Sequence, residues 1–356
     1  MAEQCQFLKV YNTGNGSVSY CELAAFNQPV NPDFLEKIGC TAERRKECSG
    51  GNGLNINNPS PTAAPASPPP VTPVVSFNPP PQLARTMVGV AESKAAVTMP
   101  SLLWLAILAG AYIALGAIMF TIITNDLASF IGDGLTRMIG GIAFSLGLIL
   151  VVLGGAELFT GNNLIFTGYL EKKVTGKQLL SNWFWVYLFN FVGSLVVVFL
   201  FYYSGIWKAN GGAIGVRAVN IAAAKASLPW AEALFRGVLC NWLVCLAVWL
   251  ANAGRDVVSK IAAIMIPIAA FVAAGFEHSV ANMYFIPLGL ALKNHPSLQA
   301  LLDPALLAGL NLKGFLLSNL VPVTIGNLIG GALFVAAVYW RAYLAPQKKM
   351  AMNGRV

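Results

Sequence analysis

Gly155-Ala156-Glu157-Leu158-Phe159-Thr160-Gly161-Asn162-Asn163 and, 120 residues later, Gly275-Phe276-Glu277-His278-Ser279-Val280-Ala281-Asn282-Met283 are two versions of one pattern, with Gly, Glu and Asn at matching places. Each lies inside a stretch otherwise apolar enough to cross a bilayer, where a charged group costs at least about 2.5 kcal/mol. Glycine-rich interruptions at corresponding points of two apolar segments predict discontinuous helices, whose freed N–H groups and positive N-terminal ends line a cavity and attract anions. A bare carboxylate facing an anion path would repel its cargo. Glu157 and Glu277 are therefore expected to pair with nearby backbone N–H groups and, with Gly155, Gly275, Asn162, Asn282 and Asn327, to hold the breaks together.

Working outward, apolar runs of about 20 residues or more lie near 101–123, 138–168, 179–204, 232–253, 261–291 and 314–342. The interrupted segments are the second and fifth. The third and sixth echo each other as well, Asn190 and Gly193 against Asn327 and Gly330. Three spans per half invert the second copy relative to the first. The sequence thus predicts an all-α membrane protein of six transmembrane helices, a 3+3 inverted repeat with broken second and fifth helices.

Composition agrees: 56% of the 356 residues are hydrophobic and 11% charged, and the mean hydropathy is +0.64. With both termini cytoplasmic, 11 Lys and Arg fall on the inner side, against 7 outside (Arg137, Lys208, Arg217, Lys225, Arg236, Lys293 and Lys313). That bias fixes the expected orientation of a multi-pass protein in the plasma or inner membrane. The net charge of +8 suits attraction of anions and lipid headgroups. Nucleic acid is set aside, since no basic segment is interleaved with stacking aromatics. No cofactor motif, metal-ligand cluster or nucleophile–base pair occurs in the spans, so neither an enzyme nor a cofactor is expected. The extreme N-terminus has no apolar stretch, so no cleaved signal peptide is expected.

Five regions follow along the chain. Residues 1–58 form a polar cytoplasmic extension with Cys5, Cys21, Cys40 and Cys48, whose spacing favours reduced thiols over a metal site. Residues 59–84 are a proline-rich tether, with ten prolines between 59 and 81. Residues 85–98 read as an interfacial amphipathic helix, with Met87, Val88, Val90, Ala91 and Val97 toward lipid and Arg85 and Lys94 wet. Residues 99–343 carry the spans, and 344–356 a cytoplasmic tail. Cys240 and Cys245, in the fourth span, read as small apolar residues.

His278 is the one histidine in any span; His295 falls in a loop. An imidazole beside a helix break can donate a hydrogen bond to an anion and exchange a proton near neutral pH. Phe271, two helical turns earlier, shares its face. Phe144 and Leu148 share a face before the other break, and such rings suit constrictions above and below the histidine. Water channels would show paired Asn-Pro-Ala, where this chain has TGN and VAN. An ammonium channel would want paired pore histidines.

The runs GGIAFSLGLIL, GAELFTGNN, LCNWLVCLAVW, GFEHSVANM and VPVTIGN resemble the signature segments of the formate/nitrite transporter family over residues 100–342. The resemblance implies a homopentamer of aquaporin-like protomers, each with its own pore for a small monoanion. It puts the family's central histidine at His278, its partner threonine at Thr160, its pore asparagine at Asn241 and its external lysine at Lys225. It puts one constriction at Phe144, Leu148, Leu158 and Phe159, and the other at Phe271 and Val244. Formate, with protons as co-substrate, is the expected cargo; nitrite and hydrosulfide are the alternatives. The first 80 or so residues have no counterpart in that family.

Overall fold

The computed structural model describes residues 8–13, 16–21 and 77–345. The chain divides into two compact units, Met1–Thr72 and Pro73–Val356. In the first, β1 (Leu8–Thr13) pairs antiparallel with β2 (Gly16–Cys21), Leu8 opposite Cys21 and Thr13 opposite Gly16. Sequence reading gave no sign of this hairpin. Cys5, Cys40 and Cys48, most of the proline-rich tether and the C-terminal tail lie outside the described residues.

The second unit is helical. It runs α1 (Pro80–Ala95), α2 (Met99–Ile123), α3 (Ala128–Gly154), α4 (Gly176–Ser204), α5 (Ala213–Ala226), α6 (Trp230–Ala253), α7 (Val257–Ala273), α8 (Ser279–Leu292) and α9 (Gly314–Leu344). Among the described residues five helices, α2, α3, α4, α6 and α9, are long and apolar enough to cross a bilayer unaided. The predicted fifth span is instead two pieces, α7 and α8, of 17 and 14 residues. At 1.5 Å per residue neither covers about 30 Å alone. The predicted second span is α3 followed, after a break, by short turns over Phe159–Asn162, Asn163–Ile165 and Phe166–Leu170.

Helix α2 packs on α3 and α4 as α6 packs on α7 and α9, and α3 meets α7 between the halves. Glycines set the close crossings. A Cβ on Gly193 of α4 would stand 1.9 Å from the Ile107 carbonyl oxygen of α2, and one on Gly330 of α9 would stand 2.2 Å from that of Val238 of α6. No side chain fits at either contact, so the backbones touch. Exposed Leu, Ile, Phe, Trp and Val side chains cover the outside, among them Trp104, Phe184, Phe199, Phe235 and Ile266. An apolar exterior around a polar centre is the arrangement of a protein dissolved in lipid.

Helix α1 differs from its sequence reading. It begins at Pro80, inside the expected tether, because proline suits the first helical turn, where its missing N–H has no partner to lose. Its apolar side faces protein, not lipid: Leu83, Ala84, Met87 and Val88 are buried in one cluster with Leu164, Trp249 and Val335, and Ala91 is buried with Ile165 and Val174.

Candidate functional site: a polar junction between two broken helices

Both breaks are built in the same way. Helix α3 ends at Gly155 (φ 76°), whose left-handed conformation lets Ala156 N–H bond back to Val151 O at 2.9 Å; α7 ends at Gly275 (φ 74°), with Phe276 N–H bonding to Phe271 O at 3.1 Å. The chain then extends through Leu158 or His278 and restarts as a helix at Phe159 or Ser279. Glycine is required at the two turns because a Cβ there carries a backbone penalty of about 1–2 kcal/mol.

Asparagines from the neighbouring helices close the exposed backbone. Asn190 accepts from Phe159 N–H at 2.9 Å and donates to Glu157 O and Ala106 O at 2.9 and 2.7 Å. Asn327 accepts from Ser279 N–H at 2.9 Å and donates to Glu277 O and Gly237 O at 3.0 and 2.8 Å. The two glutamates are paired, but with side chains and not with backbone N–H groups. Glu157 takes Lys94 Nζ at 2.7 Å and Asn162 Nδ2 at 2.6 Å; Glu277 takes Lys225 Nζ at 2.7 Å and Asn282 Nδ2 at 2.7 Å. Asn182 and Asn319 complete the pair of clusters by accepting from Asn162 and Asn282 at 2.9 and 2.7 Å. Every carboxylate at the breaks thus has its own ammonium, which removes the net charge that would repel an anion.

Lys94, expected to stay wet, is therefore the counterpart of Lys225; their side chains are 27% and 17% exposed. Sequence reasoning missed Lys94, Asn182 and Asn319 as site residues. A signal existed for the asparagines, since each stands eight positions before Asn190 or Asn327 in the repeat. For Lys94 there was none, because its pairing depends on how α1 docks.

The halves differ where the helix restarts. His278 caps α8: its Nδ1 accepts from Ala281 N–H at 3.0 Å. A backbone amide can only donate, so Nδ1 carries no proton and the ring proton sits on Nε2. Nε2 lies 2.9 Å from Thr160 Oγ1 of the other break. It therefore donates to the threonine oxygen, and the threonine's own proton is left to give. Asn241, from α6, ties the halves through Nδ2 contacts to Thr160 O, Asn163 Oδ1 and Asn327 O at 3.3, 2.8 and 2.7 Å. Its Oδ1 and Ser279 Oγ are buried with no partner among the described residues. Cys245 is more than apolar filling, since its thiol lies 3.2 Å from Thr160 O.

Above His278 opens a cavity of about 340 Å³, lined among others by Arg137, Arg217, Lys225, Arg236, Phe144, Phe271, Phe285 and Glu277. Phe271 stacks 6.1 Å from the imidazole, and Phe144 stands edge-on to Phe271 at 5.8 Å and stacks on Phe285 at 6.5 Å. Phe144 and Phe271 therefore stand together, not on opposite sides of the histidine. Their helices α3 and α7 pack on each other, which sequence spacing within one helix cannot reveal. Leu148, Leu158, Phe159 and Val244 are buried and do not line this cavity. The Phe159 ring packs on Tyr187 at 4.8 Å. Near Lys94 and Gly161 the corresponding space is only about 10 Å³. No group of three or more metal-binding side chains occurs among the described residues.

Known proteins resemble this chain in fold and sequence. Two solved structures have the same fold: a pentameric formate channel with formate bound (36% identity, TM-score 0.62, covering 72% of this chain and 98% of that one) and an FNT family ion channel (29%, 0.63, 73% and 98%). A probable formate transporter of Methanothermobacter thermautotrophicus is 42% identical over 284 residues, 76% of this chain and 98% of the relative. The formate channel FocA of Escherichia coli strain K12 is 39% identical over 245 residues, 68% and 86%. Residues 81–341 match the family described as Formate/nitrite transporter, and with both broken helices inside that match, the chain belongs to this family.

Proposed function

We propose that this chain is a membrane channel for formate, a homopentamer in which each protomer conducts through its own centre. The observation that carries the reading is the 2.9 Å contact of His278 Nε2 with Thr160 Oγ1, which joins the two broken helices at the floor of a cationic cavity. Relatives and solved neighbours named as formate channels support the choice of cargo, and the pentameric neighbour supports the assembly.

The cavity side faces out in this reading, with both termini in the cytoplasm, residues 1–58 as a cytoplasmic extension and the spans in the plasma or inner membrane. Arg137 and Arg217, which make no ion pair among the described residues, raise the anion concentration at the mouth beside the paired Lys225 and Arg236. Past them, Phe144, Phe271 and Phe285 strip water from the anion, a large cost for a charged group in an apolar ring. The Thr160 hydroxyl and the Ser279 hydroxyl offset part of it. Taking up a proton offsets more, because formic acid crosses as a neutral molecule. Passage is then a symport of formate and proton. We assign Leu148, Leu158, Phe159 and Val244 to the constriction on the Thr160 side, and α1 to the cytoplasmic mouth.

The test is uptake of labelled formate into proteoliposomes holding the purified protein, against nitrite and hydrosulfide under the same gradients. Formate flux well above protein-free vesicles, with acidification of the lumen, is the expected outcome. Faster flux of nitrite or hydrosulfide would reassign the cargo, and no flux of any of the three would remove the channel reading.

A further inference from the structure

The cavity above His278 carries more positive charge than a path for one monoanion requires. Lys225 is neutralised by Glu277, and Arg236 by Glu232 at 2.8 Å. Arg137 of α3 and Arg217 of α5 line the same cavity, and among the described residues neither makes an ion pair. Arg217 is held firmly. Its Nε donates to Thr124 Oγ1 at 3.2 Å, and its guanidinium carbon lies 5.9 Å from the centre of the Phe120 ring. Those contacts leave the two terminal amino groups of its fork without an acceptor among the described residues, on a half-buried side chain. Burial first, then the charge of Arg137, lowers the proton affinity of Arg217 below the usual arginine range, while Asp133 acts the other way without contacting it. An arginine keeps its proton regardless. Two like charges gathered at one cavity without a contacting carboxylate form an unfavourable arrangement that an arriving anion relieves.

Size and shape narrow the ligand. A cavity of about 340 Å³ is within the range of small-molecule sites and more than ten times the roughly 30 Å³ that one water takes in the liquid. The rings of Phe144, Phe271 and Phe285 line it next to His278, the Phe144 ring centre standing 5.8 Å from that of Phe271 and 6.5 Å from that of Phe285. Guanidinium forks match carboxylates in plane and spacing. Two of them in one cavity of this size suit a ligand with two carboxylates. A second charge also raises the desolvation cost at the rings far above that of a monoanion.

We propose that this cavity binds a small dicarboxylate, with one carboxylate on the open fork of Arg217 and the other on Arg137, where the ligand plugs the mouth without passing. The inference extends beyond conduction to a ligand that the pore does not carry. The plug acts from one side, since the space at the Lys94 mouth is about 10 Å³ and has no arginine in its lining.

The experiment is titration calorimetry of the full-length protein in detergent with oxalate and with succinate, acetate serving as the monocarboxylate. Binding is read directly, so the result stands whichever monoanion the pore conducts. At least one dicarboxylate should bind about tenfold or more tighter than acetate. Arg217→Lys and Arg137→Lys keep the charge and remove the fork, and each should weaken that ligand about tenfold while leaving acetate unchanged. Arg137 is exposed, so its substitution tests the site even if Arg217→Lys misfolds. In proteoliposomes the same ligand should block anion entry from one face only. Dicarboxylate affinity equal to that of acetate, equal affinity in parent and Arg137→Lys, or passage of the dicarboxylate into the lumen would each overturn the proposal.

Discussion

Both ring nitrogens of His278 are engaged, Nδ1 by Ala281 N–H and Nε2 by Thr160. A second proton has to enter at Nδ1, where it meets a backbone N–H and the positive end of α8. Charging the ring therefore breaks the helix cap, which couples the protonation state of the pore to the shape of the junction. His278→Asn keeps a capping side chain and cannot titrate. The parent's formate flux should vary with pH and the variant's should not follow it; superimposable pH profiles would acquit the imidazole. Lys225 calls for a different comparison. Removing it leaves Glu277, 5% exposed, as an unpaired carboxylate, a situation that costs about 3–5 kcal/mol and puts a negative charge on the anion's path. Lys225→Ala should thus lose more flux at low formate than Lys225→Ala with Glu277→Gln. If single and double variants matched at every formate concentration and ionic strength, capture by the lysine's field would account for the loss and the buried pair would not. His278, Thr160 and both glutamates were legible in the sequence because polar groups inside apolar spans stand out. The partners of the glutamates were not, since hydropathy reports a residue's neighbours along the chain and not across helices.

At the scale of elements, the repeated small residues have a measurable consequence. Gly193→Ala would drive a methyl group to 1.9 Å from Ile107 O, so α2 and α4 must separate. Overpacking of this kind costs about 1–3 kcal/mol. Gly89, in the middle of α1, has nothing within 4 Å of an added Cβ, and Gly89→Ala there should gain up to about 1 kcal/mol from helix propensity. Melting of the detergent-solubilised oligomer should drop for the first and hold or rise for the second; a neutral Gly193→Ala would mean that the crossing is loose. The spans themselves were legible from apolar run length, and the breaks from their glycines. The start of α1 was not. Pro79, Pro80 and Pro81 read as an extended tether by composition, yet a helix accepts proline in its first turn, and only the burial of Leu83 and Ala84 against residues far along the chain decides between the two.

For the whole molecule, the boundary that matters lies ahead of α1. Asn78 donates to Asn252 O at 3.1 Å and accepts from Arg255 at 3.0 Å, and its N–H reaches Ala253 O at 2.9 Å. A chain beginning at Pro73 keeps these ties and should assemble and conduct like the full-length protein. One beginning at Arg85 loses them together with buried Leu83, and should be less stable by at least about 2 kcal/mol, read as a lower melting temperature. Equal stability of the two truncations would mean that residues 77–84 are ornamental. The paired Lys–Glu–Asn clusters carry a last implication. Their ammonium–carboxylate contacts are both 2.7 Å, and their amide–carboxylate contacts are 2.6 and 2.7 Å. The charge pairs at the junction are thus alike from either end, whatever separates the two mouths, and the driving force is left to the gradients of formate and of the proton that travels with it. Such a passage has no ratchet, so its net direction belongs to the surroundings: the same pore fills a compartment poor in the permeant species and drains one that is rich in it.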